Sequence, residues 1–194
     1  MSKKIGIIIG SLRKESFSKK LGNTLISMAP EGFEFSIVSL DGLPVYNQDF
    51  DDNNEAPEIY TKFRQEISNF DGFLFITPEY NRSIPGVLKN ALDIGSRPRG
   101  KNSWNGKPAA IFSSSPGNLG AFGANHHLRQ VLVVLNVPTM HQPEIYISKV
   151  HELFDTNGNL VDENTRMFLK QVVDAYIEWF ELISHPSVSP VIKI

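Results

Sequence analysis

The 194-residue chain contains no cysteine. That absence removes disulfides, thiolate nucleophiles and thiolate metal sites together, and leaves the redox compartment unspecified by thiol usage. Any redox chemistry here needs a borrowed cofactor. An excess of charge of either sign is also lacking: 19 Lys+Arg against 21 Asp+Glu gives a formal net charge of −2. This is neither the basic field of a nucleic-acid binder nor the acidity of a solvating tail. A small-molecule partner is expected, and no nucleic acid. Long apolar runs are missing too. The apolar stretch after Lys3 and Lys4 is only a few residues long, too short for a signal-peptide core. No segment approaches the roughly 18 apolar residues of a membrane span. A cytoplasmic protein without membrane association is expected, and the length suits one domain over residues 1–194.

What is present alternates. Strands are predicted at 5–9 (IGIII), 34–40 (EFSIVSL), 72–77 (GFLFIT), 108–114 (PAAIFSS) and, more weakly, 139–147 (TMHQPEIYI). The first, third and fourth are nearly continuous in apolar residues, the pattern of strands covered by helices on both faces. Helical spacing appears at Leu21, Leu25, Ile26 and Met28 after Ser18, and at Ile59, Phe63, Ile67 and Phe70 after Pro57. It recurs at Val87, Leu88, Ala91 and Leu92 after Pro85, at Leu128, Val131, Leu132 and Leu135, and from Phe168 to Phe180. Five strand–helix alternations predict a doubly wound α/β fold with a five-stranded parallel sheet, flavodoxin-like in strand order, 2-1-3-4-5. The acidic stretch 47–58 is expected to be a solvated loop, and SHPSVSPVIKI, from about residue 184, an extended tail.

Three segments carry candidate chemistry. In GSLRKESFSKKL (10–21) a strand ends in Gly10 and Ser11, and a helix follows. A helix N-terminus with free amides favours an anion, the hydroxyls of Ser11, Ser16 and Ser18 add donors, and Arg13 adds a planar fork suited to phosphate oxygens. The same residues also read as an ordinary serine-capped turn with solvated cations. Neither the Gly-Lys-Ser/Thr nucleotide loop nor G-x-G-x-x-G is present, which disfavours ATP or a tightly held NAD on this loop. In TPEYNRSIPGVLKNALD (77–93), Pro78 and Pro85 stiffen a loop in which Glu79, Tyr80, Asn81, Arg82 and Ser83 offer amide, hydroxyl and backbone groups that would suit a planar heterocycle. Equally, Pro85 reads as a first-turn helix residue and Tyr80 as an aromatic covering the sheet edge. The third segment, SSSPGNLGAFGANHHLRQ (113–130), has glycines spaced by three, the wrong spacing for a dinucleotide fingerprint. His126 and His127, being adjacent, point about 100° apart on a helix, so no metal site is expected, and with Arg129 they read as helix surface or subunit contact.

In this order and at these spacings the three segments resemble the NADPH-dependent FMN reductase family, whose members include bacterial quinone, chromate and azo-dye reductases. The likeness spans residues 4 to about 150, and its most specific part is PEYNRSIPGVLKN (78–90). It implies a flavodoxin-like fold holding one non-covalent FMN per subunit. By resemblance Ser11, Arg13, Ser16, Phe17 and Ser18 hold the FMN phosphate. Pro78, Glu79, Tyr80 and Asn81 lie along the isoalloxazine, and Ser115 with Gly117 meets the ring or ribityl side. Two positions depart from the family: Ser18 stands where Asn is usual and is expected to reach one contact through water, and GAFGAN (120–125) replaces a Gly-rich run followed by Arg.

The activity implied is hydride transfer from NADPH or NADH through FMN to a small-molecule electron acceptor, with no side chain required as acid or base and hence no catalytic residue assigned. A homodimer or homotetramer is also implied. The alternatives are a flavodoxin-type electron carrier, against which the lack of its Ser/Thr-rich phosphate loop and strongly acidic surface counts, and an interaction protein with an empty site. The stretch 94–108, with Arg97, Arg99, Lys101, Trp104 and Lys107, is open between a mouth attracting NADPH phosphates, a solvated crossover and a subunit contact.

Overall fold

Five parallel strands form one sheet in the order β2-β1-β3-β4-β5, in a computed structural model that describes residues 2–184. The tail expected from about residue 184 lies outside the described residues. The strands are β1 (Lys3–Ile9), β2 (Phe33–Val38), β3 (Gly72–Thr77), β4 (Ala109–Ser114) and the short β5 (Tyr146–Ile147). The helices are α1 (Phe17–Ser27), α2 (Gln48–Asp52), α3 (Glu58–Ser68), α4 (Gly86–Gly95), α5 (Phe122–Val134) and α6 (Glu163–Ser184). Side chains alternate across a strand, and both faces of this sheet are apolar. Ile5, Ile7 and Ile9 of β1 join Leu74 and Ile76 of β3 and Phe112 of β4 beneath α1 and α6. Ile8, Phe73, Phe75 and Ile111 face α3, α4 and α5. This two-sided burial makes the central strands read as continuous apolar runs.

Three expectations need correction. The run 139–147 is not one strand: only Tyr146 and Ile147 pair with Ser113 and Ser114, while Thr139 makes an isolated bridge to Ala109. Pro143, between them, has no amide to donate to a ladder. The stretch 47–58 is not simply a solvated loop. Asn47 caps α2 by accepting from the Asp49 amide at 3.1 Å, and α2 delivers Asp51 to a bidentate pair with Arg64, both bonds 2.7 Å. That pair is buried, with the Asp51 side chain 5% and that of Arg64 13% exposed, and the Arg64 Nε donates to the Ile94 carbonyl. Finally, of the readings left open for 94–108, neither a mouth nor a solvated crossover holds for Trp104. It is fully buried against Phe63, Phe73 and Phe75, and its indole donates to the Leu92 carbonyl at 3.1 Å. Lys107 turns inward beside it, donating to the carbonyls of Ile67 and Ser68 at the end of α3. Burial pushes its ammonium pKa down to about 8, with Asp71 acting the opposite way. These groups sit at the amino edge of the sheet, opposite the loops in which the anion site is expected.

The connection from β4 to α5 is pressed against β5. Gly120 has φ +55°, and a Cβ there would come within 2.6 Å of the Tyr146 backbone carbon. Only glycine combines that conformation with that approach.

Two outcomes follow from this packing. Asp51→Ala leaves the Arg64 guanidinium buried and unpaired, and chemical denaturation is expected to show a loss of about 3–5 kcal/mol. The double replacement Asp51→Leu/Arg64→Met should recover most of it. Gly120→Ala is expected to lower the melting temperature by several degrees, since the added methyl must displace β5 backbone rather than a side chain.

Candidate functional site

In a parallel sheet every strand points the same way, so the β1, β3 and β4 loops all emerge at one edge. The first two are held together directly. The Gly10 amide donates to the Ile76 carbonyl at 2.8 Å, and a Cβ on Gly10 would lie 3.4 Å from Pro78 Cδ and 3.3 Å from Leu88 Cδ2. A larger residue at position 10 would push the two loops apart.

The β1 loop then turns into α1. Ser16 is its N-cap, in extended conformation, with a hydroxyl that accepts from the Lys19 amide at a long 3.4 Å. The amides of Phe17 and Ser18 precede any carbonyl the helix could offer them. Ser18 is 2% exposed, yet its hydroxyl has no hydrogen-bond partner among the described residues. The phenyl ring of Phe17 is otherwise engaged, packing on Phe154 with ring centroids 6.4 Å apart. Arg13, Lys14 and Lys19 surround the loop, and none of them is ion-paired among the described residues. Unpartnered donors, a helix start and unpaired cations are the groups an anion would need.

The β3 loop closes on itself. Tyr80 and Ser83 exchange backbone hydrogen bonds of 2.9 and 3.0 Å, and Asn81 (φ 51°) and Arg82 (φ 67°) between them are both left-handed. That is a two-residue turn of the primed type. Asn tolerates this conformation; Arg does so only where its surroundings hold it there. Tyr80 is left 51% exposed.

The β4 loop is laced to the segment after β5. The Ser115 hydroxyl donates to the Gly117 carbonyl, which also accepts from the Lys149 amide, while Val150 donates its amide to the Ser115 carbonyl. Beyond it, Tyr146 donates to Glu144 at 3.0 Å, leaving its oxygen to accept from His126 Nε2 at 2.9 Å. Burial, followed by the Glu144 carboxylate, raises the Tyr146 pKa. His127 pairs with the Ser83 hydroxyl at 2.7 Å. The two histidines thus serve separate contacts, and the described residues contain no group of three or more His, Cys, Asp or Glu able to hold a metal ion.

These loops enclose a hollow of about 130 Å³ lined by Ser11, Arg13, Ser16, Phe17, Ser18, Pro78, Glu79, Tyr80 and Ser115, together with Ser114, Pro116 and Val150. Of the residues singled out from sequence, Asn81 and Gly117 are outside this lining. Asn81 forms the turn instead, and Gly117 anchors the β4 loop through its carbonyl. The volume is below the ~300 Å³ at which ordinary ligand pockets begin. It is a small hollow whose lining includes the half-exposed Tyr80. Larger hollows exist, including one of about 880 Å³ between Thr61, Arg64, Arg97 and Lys101. That one gathers no helix start and no buried unpartnered hydroxyl, so size alone does not make it the better site.

With this geometry established, comparison with known proteins is informative. Residues 3–152 match the profile of NADPH-dependent FMN reductases. A 2-hydroxy-1,4-benzoquinone reductase from Burkholderia sp. is 48% identical over 179 residues, covering 92% of this chain and 97% of that protein. A quinone reductase from Pseudomonas putida is 48% identical, covering 92% of this chain and 95% of its own. Among solved structures, FerB from Paracoccus denitrificans, described as a flavoenzyme NAD(P)H:(acceptor) oxidoreductase, superposes with a TM-score of 0.85 at 41% identity, covering 92% of this chain and 97% of that one. The chain belongs to the NADPH-dependent FMN reductase family.

Proposed function

We propose that the protein is an FMN-dependent NAD(P)H oxidoreductase that reduces quinones or similar small-molecule acceptors. The observation that carries this reading is the hollow at the start of α1, where the Ser18 hydroxyl and the first amides of the helix have no partner among the described residues and Arg13 joins the lining. The donor set fits a phosphate monoester. Ser11, Ser16, Ser18 and the amides of Phe17 and Ser18 would hold the FMN phosphate, and Arg13 would balance its charge. Pro78, Glu79, Tyr80 and Asn81 would border the isoalloxazine from the β3 side, and Ser115 and Gly117 from the β4 side. Bound FMN supplies the hydride chemistry, accepting two electrons from a reduced nicotinamide and yielding them to the acceptor.

The chain's own part is binding and orientation. The Tyr80–Ser83 turn fixes one border of the ring site while leaving Tyr80 half in solvent. No side chain is assigned as acid or base, since solvent reaches such an open groove and supplies protons. The relatives named as quinone reductases support a small planar acceptor. A cytoplasmic setting and a homodimer or homotetramer belong to the same reading. The exposed apolar side chains of Leu119, Phe122, Val133 and Val134 support self-association.

The purified protein is expected to be yellow, to bleach with NADPH or NADH under anaerobic conditions and to recolour with a quinone. A yellow protein inert to both nucleotides would be an electron carrier, and a colourless one that takes up no FMN would sink the reading. Ser18→Ala should weaken FMN binding about tenfold, because it removes one hydrogen bond to a charged group, while leaving the melting temperature of the flavin-free protein unchanged. Fluorescence titration of the apoprotein measures the first and calorimetry the second. Asn81→Gly keeps the left-handed turn and so tests the side chain alone: weaker FMN or slower flavin reduction is expected, and unchanged values would remove Asn81 from the site.

A further inference from the structure

Helix α5 begins without a cap of its own. Its N-cap position is Ala121, left-handed at φ 61°, with no side chain able to accept a hydrogen bond. A helix start needs acceptors for its first amides, and here one comes from 45 residues earlier in the chain: Glu79 Oε2 accepts from the Ala124 amide at 3.0 Å. The Glu79 side chain is only 15% exposed, and its other oxygen lies 3.7 Å from the Arg82 guanidinium. The approach is close enough to dictate the neighbouring residue. A Cβ on Gly123 would sit 3.0 Å from Glu79 Oε2 and 3.1 Å from the Arg82 carbonyl oxygen. One turn further along α5, His127 bonds the Ser83 hydroxyl. The turn that carries Tyr80 is therefore fastened to α5 at both ends, by Glu79 before it and Ser83 after it.

We infer that Glu79 is a positioning residue. Its carboxylate serves as the missing N-cap of α5, and the bond locks the β3 and β4 loops into one body that sets the width of the flavin groove. This inference rests on the flavin reading above, and it reassigns Glu79 from direct contact with the ring to action through α5. Gly123 is the residue that admits the carboxylate. The Arg82 cation adds little to the arrangement, since its side chain is 75% exposed.

The test compares Glu79→Ala, Glu79→Gln, Gly123→Ala and the double variant Glu79→Ala/Gly123→Ala with the parent protein. The readouts are hydrogen exchange in the apoprotein, FMN affinity by fluorescence titration, and the flavin midpoint potential. Glu79→Ala should speed exchange of the amides at 122–125 and in the Tyr80–Ser83 turn together, and weaken FMN about tenfold, as expected for loss of a charge-assisted hydrogen bond. Glu79→Gln retains an acceptor of the same reach and should restore both within about threefold, without moving the potential. Gly123→Ala should resemble Glu79→Ala, and the double variant should be no worse than the worse single one, because both break the same contact.

The proposal is overturned if Glu79→Ala leaves exchange and affinity at parental values. It is also overturned if Glu79→Gln matches Glu79→Ala in affinity and shifts the potential, which would mean that the carboxylate acts on the ring by its charge. A parent protein that binds no FMN overturns the flavin reading, and with it this inference. Parental FMN binding with unaltered Glu79→Ala overturns the inference alone.

Discussion

The arrangement of this molecule depends on the parallel register of β1, β3 and β4. Because these strands share one direction, their carboxyl ends deliver three loops and the N-termini of α1, α4 and α5 to the same edge. Each helix start brings unsatisfied amides and the positive end of a helix dipole. An edge with several such ends attracts acceptors, and the chain answers each differently. At α1 the cap is Ser16, short and half-committed, which leaves neighbouring donors open. At α5 the cap is the Glu79 carboxylate, borrowed from another loop. The α1 start keeps open donors, while the α5 start is closed by the protein itself.

The opposite edge is built for stability. There Trp104 fills the space next to Gly95, where a Cβ would lie 2.4 Å from the indole nitrogen. Lys107 bonds the last carbonyls of α3, and nearby Arg64 bonds Asp51 and the end of α4. The Trp104, Lys107 and Arg64 donors on this side find protein partners, so they cost little when buried. The same residue types are read as ligand groups on one edge and as mortar on the other. The difference lies in whether their partners are already present.

This division explains what was legible in the sequence. Strands such as Ile5–Ile9 and Gly72–Thr77 announce themselves, because burial on both faces leaves no polar interruption. The alternation with helices gives the doubly wound class, and five strands with a polar anion-type loop after the first point to the order 2-1-3-4-5 that is observed. That Ser11, Ser16 and Ser18 share one hollow was legible because they cluster within eight residues around a strand-to-helix turn. What was not legible is long-range pairing: nothing near Asp51 signals Arg64, nothing near Trp104 signals the Leu92 carbonyl, and nothing in PEYN says that its Glu also caps a helix beginning at Phe122. A cation-rich stretch such as 97–107 looks like a field for phosphates when only composition is seen. That Trp104 is buried there and Lys107 bonds the end of α3, while Arg97, Arg99 and Lys101 stay exposed, becomes visible only once the strands are placed. The weak strand 139–147 failed for a local reason that was readable, since Pro143 cannot donate to a ladder.

The small hollow at the start of α1 and the half-exposed Tyr80 turn bear together on the breadth of chemistry such a site can accept. On the proposed reading, binding strength is concentrated at the phosphate end, in buried and charge-assisted contacts, while the ring end is bordered by a turn open to solvent. Discrimination among acceptors requires contacts that a wrong molecule would leave unpaired or in clash. An open border provides few of them, and flat molecules of different outline can be seated there with similar energy. The precision of the site is then spent on the cofactor, through a loop whose two left-handed residues are held against α5 rather than shaped around a substrate. Selectivity toward any one acceptor must come from residues that close over the open face.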